Sequence, residues 1–210
     1  MIKIVSLIMG SRLQGLDQPD SDVDEFHIYV ESFDELLKNI PAPARYDSED
    51  RESDVTSYTL REVANGIERG QIGFYSMLWV PESHTIESSL FWKRLVERRK
   101  EFLSRAIIEN TNEIANILLN RDFKSCSHAL RILYSLFQLT AMERMTFPSP
   151  ISDDLIAIRN GKQSYKHMYD LVNKVRKSIF EREDWPDTGI KIWESVIDIY
   201  KEMQNADSNS

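Results

Sequence analysis

Cysteine is almost missing from this sequence, since Cys126 is the only one among 210 residues. No disulfide within the chain can form, and no cysteine zinc cluster is available. Long apolar runs are missing too, because none approaches the roughly 20 residues that span a bilayer. The apolar start from Met1 to Met9 is short and has no cleavage site, so we do not expect a signal peptide. These absences predict a cytoplasmic protein that does not bind membranes.

Positive charge is also in short supply, with 26 Lys and Arg residues against 34 Asp and Glu, a net charge of −8. This balance argues against non-specific coating of nucleic acid. The charge is unevenly spread: Asp17 to Asp54 holds 13 acids and 3 bases, whereas Phe91 to Arg131 holds 9 bases and 5 acids. The acidic part could hold metal and the basic part could meet phosphates. For the basic part, ordinary solvated helix faces explain the pattern equally well.

The apolar pattern predicts an α+β fold, with a small mixed β-sheet core followed by a C-terminal helical bundle. The predicted strands are Ile2–Met9, Glu25–Val30 and Asp54–Tyr58. The predicted helices are Phe33–Ile40, Leu60–Glu68, an amphipathic stretch from Ser88 to Leu118, Ser125–Met145, Ser152–Ile158, Tyr165–Phe180 and Ile190–Met203. The segment from Ile72 to Val80 fits a buried helix or a strand. We expect an α/β core over 1–85, a helical domain over 86–204 and a disordered tail over 205–210.

The most informative stretch begins where the first strand ends, at Gly10 and Ser11. Ten residues of loop-like sequence follow, and then Asp22 and Asp24 lead into the second strand. If that strand includes both aspartates, alternation places them on one face. Neighbouring carboxylates suit a hard divalent cation, and Mg²⁺ often combines few carboxylates with substrate phosphates. Taken alone, an Asp-x-Asp pair is more typical of a solvated turn.

Two further groups could complete such a site. Asp54 opens the third predicted strand and would join the aspartate pair if that strand lies beside the second. Lys124, His128 and Arg131 are spaced so that one helical face presents all three. That face could meet a triphosphate or a polynucleotide, although a histidine within a helix is often structural.

These residues resemble the nucleotidyltransferase superfamily that includes DNA polymerase β. Its signature is an apolar strand, Gly-Ser, a spacer of about ten residues, Asp-x-Asp, and a third carboxylate on a later strand. Gly10, Ser11, Asp22, Asp24 and Asp54 occupy those places.

A closer resemblance is to the predicted RNA-repair-pathway polymerase-β-like nucleotidyltransferases of bacteria and phages. The similarity covers most of the chain. In the second half of the chain, the segments that carry this resemblance are Phe102-Leu103-Ser104-Arg105, Lys124-x-x-x-His128-x-x-Arg131 and Ile158-Arg159-x-Gly161. The sequence departs from that branch at Ser76, which stands where an acidic residue is usual.

The resemblance implies transfer of a nucleoside monophosphate from an NTP to an acceptor hydroxyl, with RNA as the expected acceptor. It implies two Mg²⁺ ions, for which Mn²⁺ could substitute, held by Asp22, Asp24 and Asp54. Gly10 and Ser11 would bind the β- and γ-phosphates. Arg12 would add a phosphate contact or lie at the surface. The protein would act in the cytoplasm, or in the host cytoplasm if a phage encodes it.

Two other functions remain open from the sequence. One is an antitoxin-like or regulatory protein with the nucleotidyltransferase fold, which modifies or binds a protein partner. The other is a metal-binding or protein-interaction module whose working surface is the helical part.

Overall fold

The computed structural model describes residues 1–19, 21–43, 46–47, 53–180 and 191–207. Its strands are β1 (Ile2–Ile8), β2 (Val23–Val30), β3 (Tyr46–Asp47), β4 (Ser53–Thr59) and β5 (Thr85–Ser88). Its helices in the first part of the chain are α1 (Gly10–Gln14), α2 (Phe33–Leu37), α3 (Leu60–Glu68) and α4 (Ile72–Met77). The helices that follow are α5 (Leu90–Arg98), α6 (Arg105–Leu119), α7 (Phe123–Met142), α8 (Ser152–Arg159), α9 (Tyr165–Phe180) and α10 (Lys191–Asp207).

The strands form one mixed sheet in the order β3-β4-β2-β1-β5. β1 is antiparallel to β2 and β5, whereas β2 and β4 are parallel. Residues 4–7 of β1 are all buried, as expected for a strand with a neighbour on each side. A mixed sheet followed by packed helices confirms the predicted α+β class.

Helix α3 covers part of the sheet because its sequence is apolar along one side. Leu60, Val63 and Ile67 are buried there, and each such side chain stabilises the fold by about 1.5–3 kcal/mol. The helix starts at a capping box, in which the Thr59 side chain accepts from the Glu62 amide and the Glu62 side chain accepts from the Thr59 amide. A second capping box, formed by Ser32 and Glu35, is present at the start of α2.

The helical part is arranged around α7, which packs against α6, α8 and α9. Helix α10 instead returns to the first part of the chain and packs against α3. Polar contacts accompany that packing: the Trp193 indole donates to Glu68 at 2.8 Å, and the Tyr200 hydroxyl donates to Glu31 at 2.6 Å. Glu31 is fully buried and also faces Arg61, whose Nε lies 3.3 Å from its carboxylate.

Several predicted elements differ from the structure. Strand β5 was not predicted, because a four-residue strand containing Glu87 and Ser88 has no apolar alternation to reveal it. The amphipathic stretch after Ser88 is two α-helices, because a 3-10 turn over Arg99–Phe102 follows α5 and the backbone is extended at Leu103 and Ser104 before α6. Of the two alternatives for the segment from Ile72 to Val80, the structure has the helix, α4, over Ile72–Met77. Helix α8 begins at Ser152, as predicted, and its N-cap position is Ile151.

The predicted tail is in part helical, because α10 continues from Asn205 as far as Asp207. Residues 208–210, most of residues 44–53 and residues 184–186 lie outside the described residues. Among the helices that the structure describes, none is long and apolar enough to cross a membrane.

Candidate functional site

The turn after β1 places Gly10 directly against the Asp24 carboxylate. The Met9 amide donates to the Asp24 carbonyl at 2.8 Å, which fixes this turn beside β2. Gly10 has a φ of +63°, and a Cβ built on it would lie 1.7 Å from Asp24 Oδ2. The absence of a side chain at Gly10 therefore leaves room for the Asp24 carboxylate, which occupies the space beside it.

Asp24 and Asp54 face each other across the parallel strands β2 and β4, where they are register partners. Side chains of register partners on neighbouring strands point to the same face of a sheet. The condition set from the sequence, that the strand of Asp54 lies beside that of Asp24, is therefore met. Asp22 differs, because β2 begins at Val23 and leaves Asp22 exposed in the preceding loop. Strand alternation does not apply to it.

The Asp24 and Asp54 pair suits a hard cation that is completed by other oxygens. Mg²⁺ is often held by one or two carboxylates together with substrate phosphates and water. Within the described ranges, no group of three His, Cys, Asp or Glu side chains is arranged to hold a metal by itself. An ion held by Asp24 and Asp54 would need further oxygens from its ligand or from water.

A cavity of about 680 Å³ opens beside Asp24 and lies between the sheet and the helical part. We call its two sides the sheet wall and the helical wall. The sheet wall is formed by Met9, Gly10, Ser11, Asp24, Phe26 and Tyr58. The helical wall is formed by Lys124, Ser125, Ser127, His128, Arg131 and Arg159. Helix α4 and the residue before it contribute Gln71, Gly73, Phe74, Ser76 and Met77, and Gln14, Leu16 and Leu118 also line the cavity.

Lys124, His128 and Arg131 all line this cavity, as expected for one face of α7. An Arg131 Nη2 lies 2.9 Å from His128 Nε2. Because a guanidinium only donates, Nε2 is the acceptor and the ring proton resides on Nδ1. Desolvation, followed by the positive charge of Arg131, lowers the pKa of His128 to about 4. The ring is therefore neutral at pH 7, even though water reaches it from the cavity.

Arg131 is more enclosed than Lys124 and His128. Desolvation lowers the pKa of its guanidinium to about 10, so it still carries a full positive charge at pH 7. Lys124, one helical turn before His128, is exposed. The helical wall thus offers one enclosed cation, one exposed cation and a neutral imidazole.

The side chains of the two residues after Gly10 lie in different places. Ser11 lines the cavity. Arg12 is exposed and donates from Nη2 to the Ser21 carbonyl at 3.2 Å, bracing the loop that leads to Asp22. The structure therefore brings together Gly10, Ser11, Asp24, Lys124, His128 and Arg131 around the cavity. Asp54 lies beside Asp24 in the sheet, and Asp22 and Arg12 lie in or against the preceding loop.

Two cavity residues were missed from the sequence. Arg159, at the end of α8, stood within the Ile158-Arg159-x-Gly161 pattern, but the pattern gave it no role. Gln14 is only 5% exposed, and its Oε1 is buried with no hydrogen-bond partner among the described residues. Nothing in the sequence distinguishes Gln14 from an ordinary surface glutamine, because its burial depends on α1 meeting the segment around Ser149.

Among solved structures, the chain is similar to spectinomycin adenyltransferase from Enterococcus faecialis, crystallised with ATP and spectinomycin. The two share 13% identity with a TM-score of 0.42, over 97% of this chain and 92% of that chain. No protein-family model and no curated protein matches the sequence. This likeness is too distant to assign a role to any residue of the chain.

Proposed function

We propose that this protein is a metal-dependent nucleotidyltransferase that moves a nucleoside monophosphate from an NTP to a hydroxyl on RNA. The observation that carries the proposal is the pairing of Asp24 with Asp54 on adjacent strands, with Asp24 facing a cavity whose other side carries Lys124 and Arg131. The cavity volume of about 680 Å³ lies within the range of small-molecule sites.

The carboxylates have two roles in this reaction. Asp24 and Asp54 would hold Mg²⁺, which would supply charge neutralisation at the reacting phosphate when bound, and Asp22 lies in the adjoining loop. Asp54 would also accept the proton of the attacking hydroxyl. The new bond joins that hydroxyl oxygen to the α-phosphorus, the bond from the α-phosphorus to its bridging oxygen breaks, and pyrophosphate leaves. Transfer therefore needs no other reactant.

The helical wall would receive the triphosphate. Arg131 can bind two phosphate oxygens with its planar fork, and Lys124 adds a second positive charge. His128 is neutral and can donate from Nδ1 without bringing another charge into the cavity. The Ser11 hydroxyl and the Gly10 amide would contribute from the sheet wall. These assignments extend the interpretation drawn from the sequence.

The charge of the cavity supports an anionic acceptor. Among the described residues that line it, Asp24 is the one acid, whereas Lys124, Arg131 and Arg159 are bases. Arg159 is the lining base that is not assigned to the triphosphate, and it would be available to an anionic acceptor such as RNA. Transfer to a protein partner, as in a regulatory or antitoxin-like protein, is the competing function.

The test is incubation of the protein with each α-labelled NTP, Mg²⁺ or Mn²⁺, and a mixed RNA pool. Asp24→Asn is the inactivating variant, and Glu25→Gln is its matched control on the same strand with the opposite side-chain direction. Label on RNA with the wild type and Glu25→Gln, but not with Asp24→Asn, is the expected result. Label on a protein instead would favour the partner-modifying function. Absence of label together with absence of metal-dependent NTP binding would overturn nucleotidyl transfer.

A further inference from the structure

Three aromatic side chains line one part of the cavity and touch one another edge to face. The ring centroids of Phe26 and Tyr58 are 5.6 Å apart, and those of Tyr58 and Phe74 are 5.0 Å apart. All three are half-buried rather than enclosed in the core. Aromatic rings left partly open inside a cavity offer a surface to a planar ligand.

The sheet register explains why these rings continue directly from the carboxylates. Phe26 lies two residues after Asp24 on β2, and Tyr58 lies four residues after Asp54 on β4. Even spacing along a strand places each ring on the same face as its aspartate. A ligand held at Asp24 therefore has the aromatic surface next to it.

Phe74 is fixed in place by a glycine beneath it. A Cβ built on Gly66 of α3 would lie 2.2 Å from Phe74 Cδ2, so the ring packs against the bare backbone of that helix. Gly66 is buried, which leaves Phe74 little room to move away from the cavity. The ring is thus positioned without being covered.

Open space adjoins Phe74 at Gly73. Gly73 is exposed, lines the cavity, and a Cβ built on it would meet no atom within 4 Å. Glycine is unfavourable inside a helix, and no close approach of protein atoms requires it here. The missing side chain enlarges the cavity beside the rings.

We propose that Phe26, Tyr58 and Phe74, with the open space at Gly73, form a subsite that stacks a nucleobase. This inference rests on the proposed nucleotidyl transfer and adds where the base lies. The same cavity carries Lys124, Arg131 and Arg159, so it suits a ligand that is aromatic at one end and anionic at the other. A nucleotide has both properties, whereas a purely apolar ligand would leave these cations unmatched.

The nucleobase could belong to the incoming NTP or to the acceptor end of RNA. Both present the same planar surface, so the shared chemistry is base stacking. Binding measurements with separate ligands distinguish the two sources. Inorganic tripolyphosphate serves as the reference, because it has the phosphates of an NTP without a base.

The decisive variant is Gly73→Leu, and Gly73→Ala is its control. The leucine would fill the space beside Phe74, while alanine adds one methyl group at a position with no neighbour within 4 Å. Both replace a helical glycine, so the melting temperature should stay level or rise. Phe74→Leu is a second, independent variant that removes the stacking ring and keeps an apolar side chain.

Affinity is measured for an NTP, for a short oligoribonucleotide and for tripolyphosphate. We expect Gly73→Leu and Phe74→Leu to weaken at least one base-containing ligand by about 5- to 150-fold, with tripolyphosphate unchanged. Loss of NTP affinity assigns the subsite to the donor base, and loss of oligonucleotide affinity assigns it to the acceptor. Equal loss for tripolyphosphate, unchanged binding of all ligands in the folded variants, or no wild-type binding to any of the three would overturn the subsite.

The results distinguish failure of the base-stacking subsite from failure of the proposed nucleotidyl transfer. Wild-type transfer that depends on Asp24, together with unchanged base affinity in the Gly73 and Phe74 variants, would retain the transferase and reject the subsite. A base-specific loss of affinity in a protein that transfers no nucleotide would retain the subsite and reject the reaction.

Discussion

The two walls of the cavity hold their functional groups in different ways. On the sheet wall, Asp24 is placed by backbone pairing with β1 and β4 and packs against Gly10. On the helical wall, Lys124 and Arg131 reach the cavity on long side chains from a single face of α7. Backbone register fixes an atom closely, whereas a long cationic side chain can adjust to its ligand. The sheet wall therefore suits the reacting groups and the helical wall suits charge.

The largest expected effect on transfer comes from removing the negative charge of Asp24 on the sheet wall. Asp24→Asn keeps the size of the side chain but removes the charge, and we expect transfer to fall by about 1,000-fold or more with the fold intact. Asp22→Ala and Asp24→Ala should likewise abolish transfer. Glu25→Gln, which removes an acid from the opposite face of β2, should leave transfer within a few-fold. Substantial transfer by Asp24→Asn would contradict the mechanism.

A second change moves the Asp24 carboxylate without altering it. Gly10→Ala places a methyl group where Asp24 Oδ2 lies and forces alanine to adopt a φ of +63°. We expect transfer to fall by about 100-fold and the free energy of unfolding to fall by about 1–3 kcal/mol. Gly15→Ala is the control, since Gly15 has a φ of +69° but faces Pro148 rather than a carboxylate. It should lose stability in urea unfolding while keeping activity; equal activity losses would show that backbone strain alone is responsible.

The helical wall should respond more gradually. Arg131→Gln removes the enclosed cation, and NTP affinity should fall by about 10- to 150-fold, the range for a hydrogen bond to a charged group. Lys124→Gln, at an exposed position, should cost less than Arg131→Gln because solvent screens its charge. Titration calorimetry would compare the two. A larger loss of NTP affinity for Lys124→Gln than for Arg131→Gln would contradict the proposal that Arg131 makes the stronger phosphate contact.

The smallest expected effect is the pH response of His128. Its pKa of about 4 in the folded chain lies below the ordinary 6.5, so the unfolded chain binds more protons between these values. This residue's contribution to stability is therefore lost as pH falls from about 6.5 towards 4. His128→Gln should lose less stability than the wild type between pH 7 and pH 4.5 in urea unfolding. Parallel curves for the two proteins would contradict the assignment.

More of the arrangement of the sheet wall than of the helical wall could be predicted from the sequence, and particular residues show why. Asp24 and Asp54 each belong to a strand with a clear apolar pattern, and their pairing needed only that the strands be adjacent. Helical spacing was enough to put Lys124, His128 and Arg131 together. The positions of Phe74, Gly73 and Arg159 could not be predicted, because each depends on how α4 or α8 packs against the rest of the chain. The condition that the strand include both aspartates is met for Asp24 but not for Asp22, because β2 begins at Val23.

The return of α10 to the first part of the chain limits how the protein can be divided. A fragment that ended before this helix would leave Glu31 buried without the hydroxyl of Tyr200, and would uncover the surface now packed against Ile192, Val196 and Ile199. Expression of the sheet part by itself should therefore give an aggregating product rather than a small working enzyme. Split-protein reporters and truncation libraries built on this chain would need to keep α10 with the sheet, despite their separation in sequence.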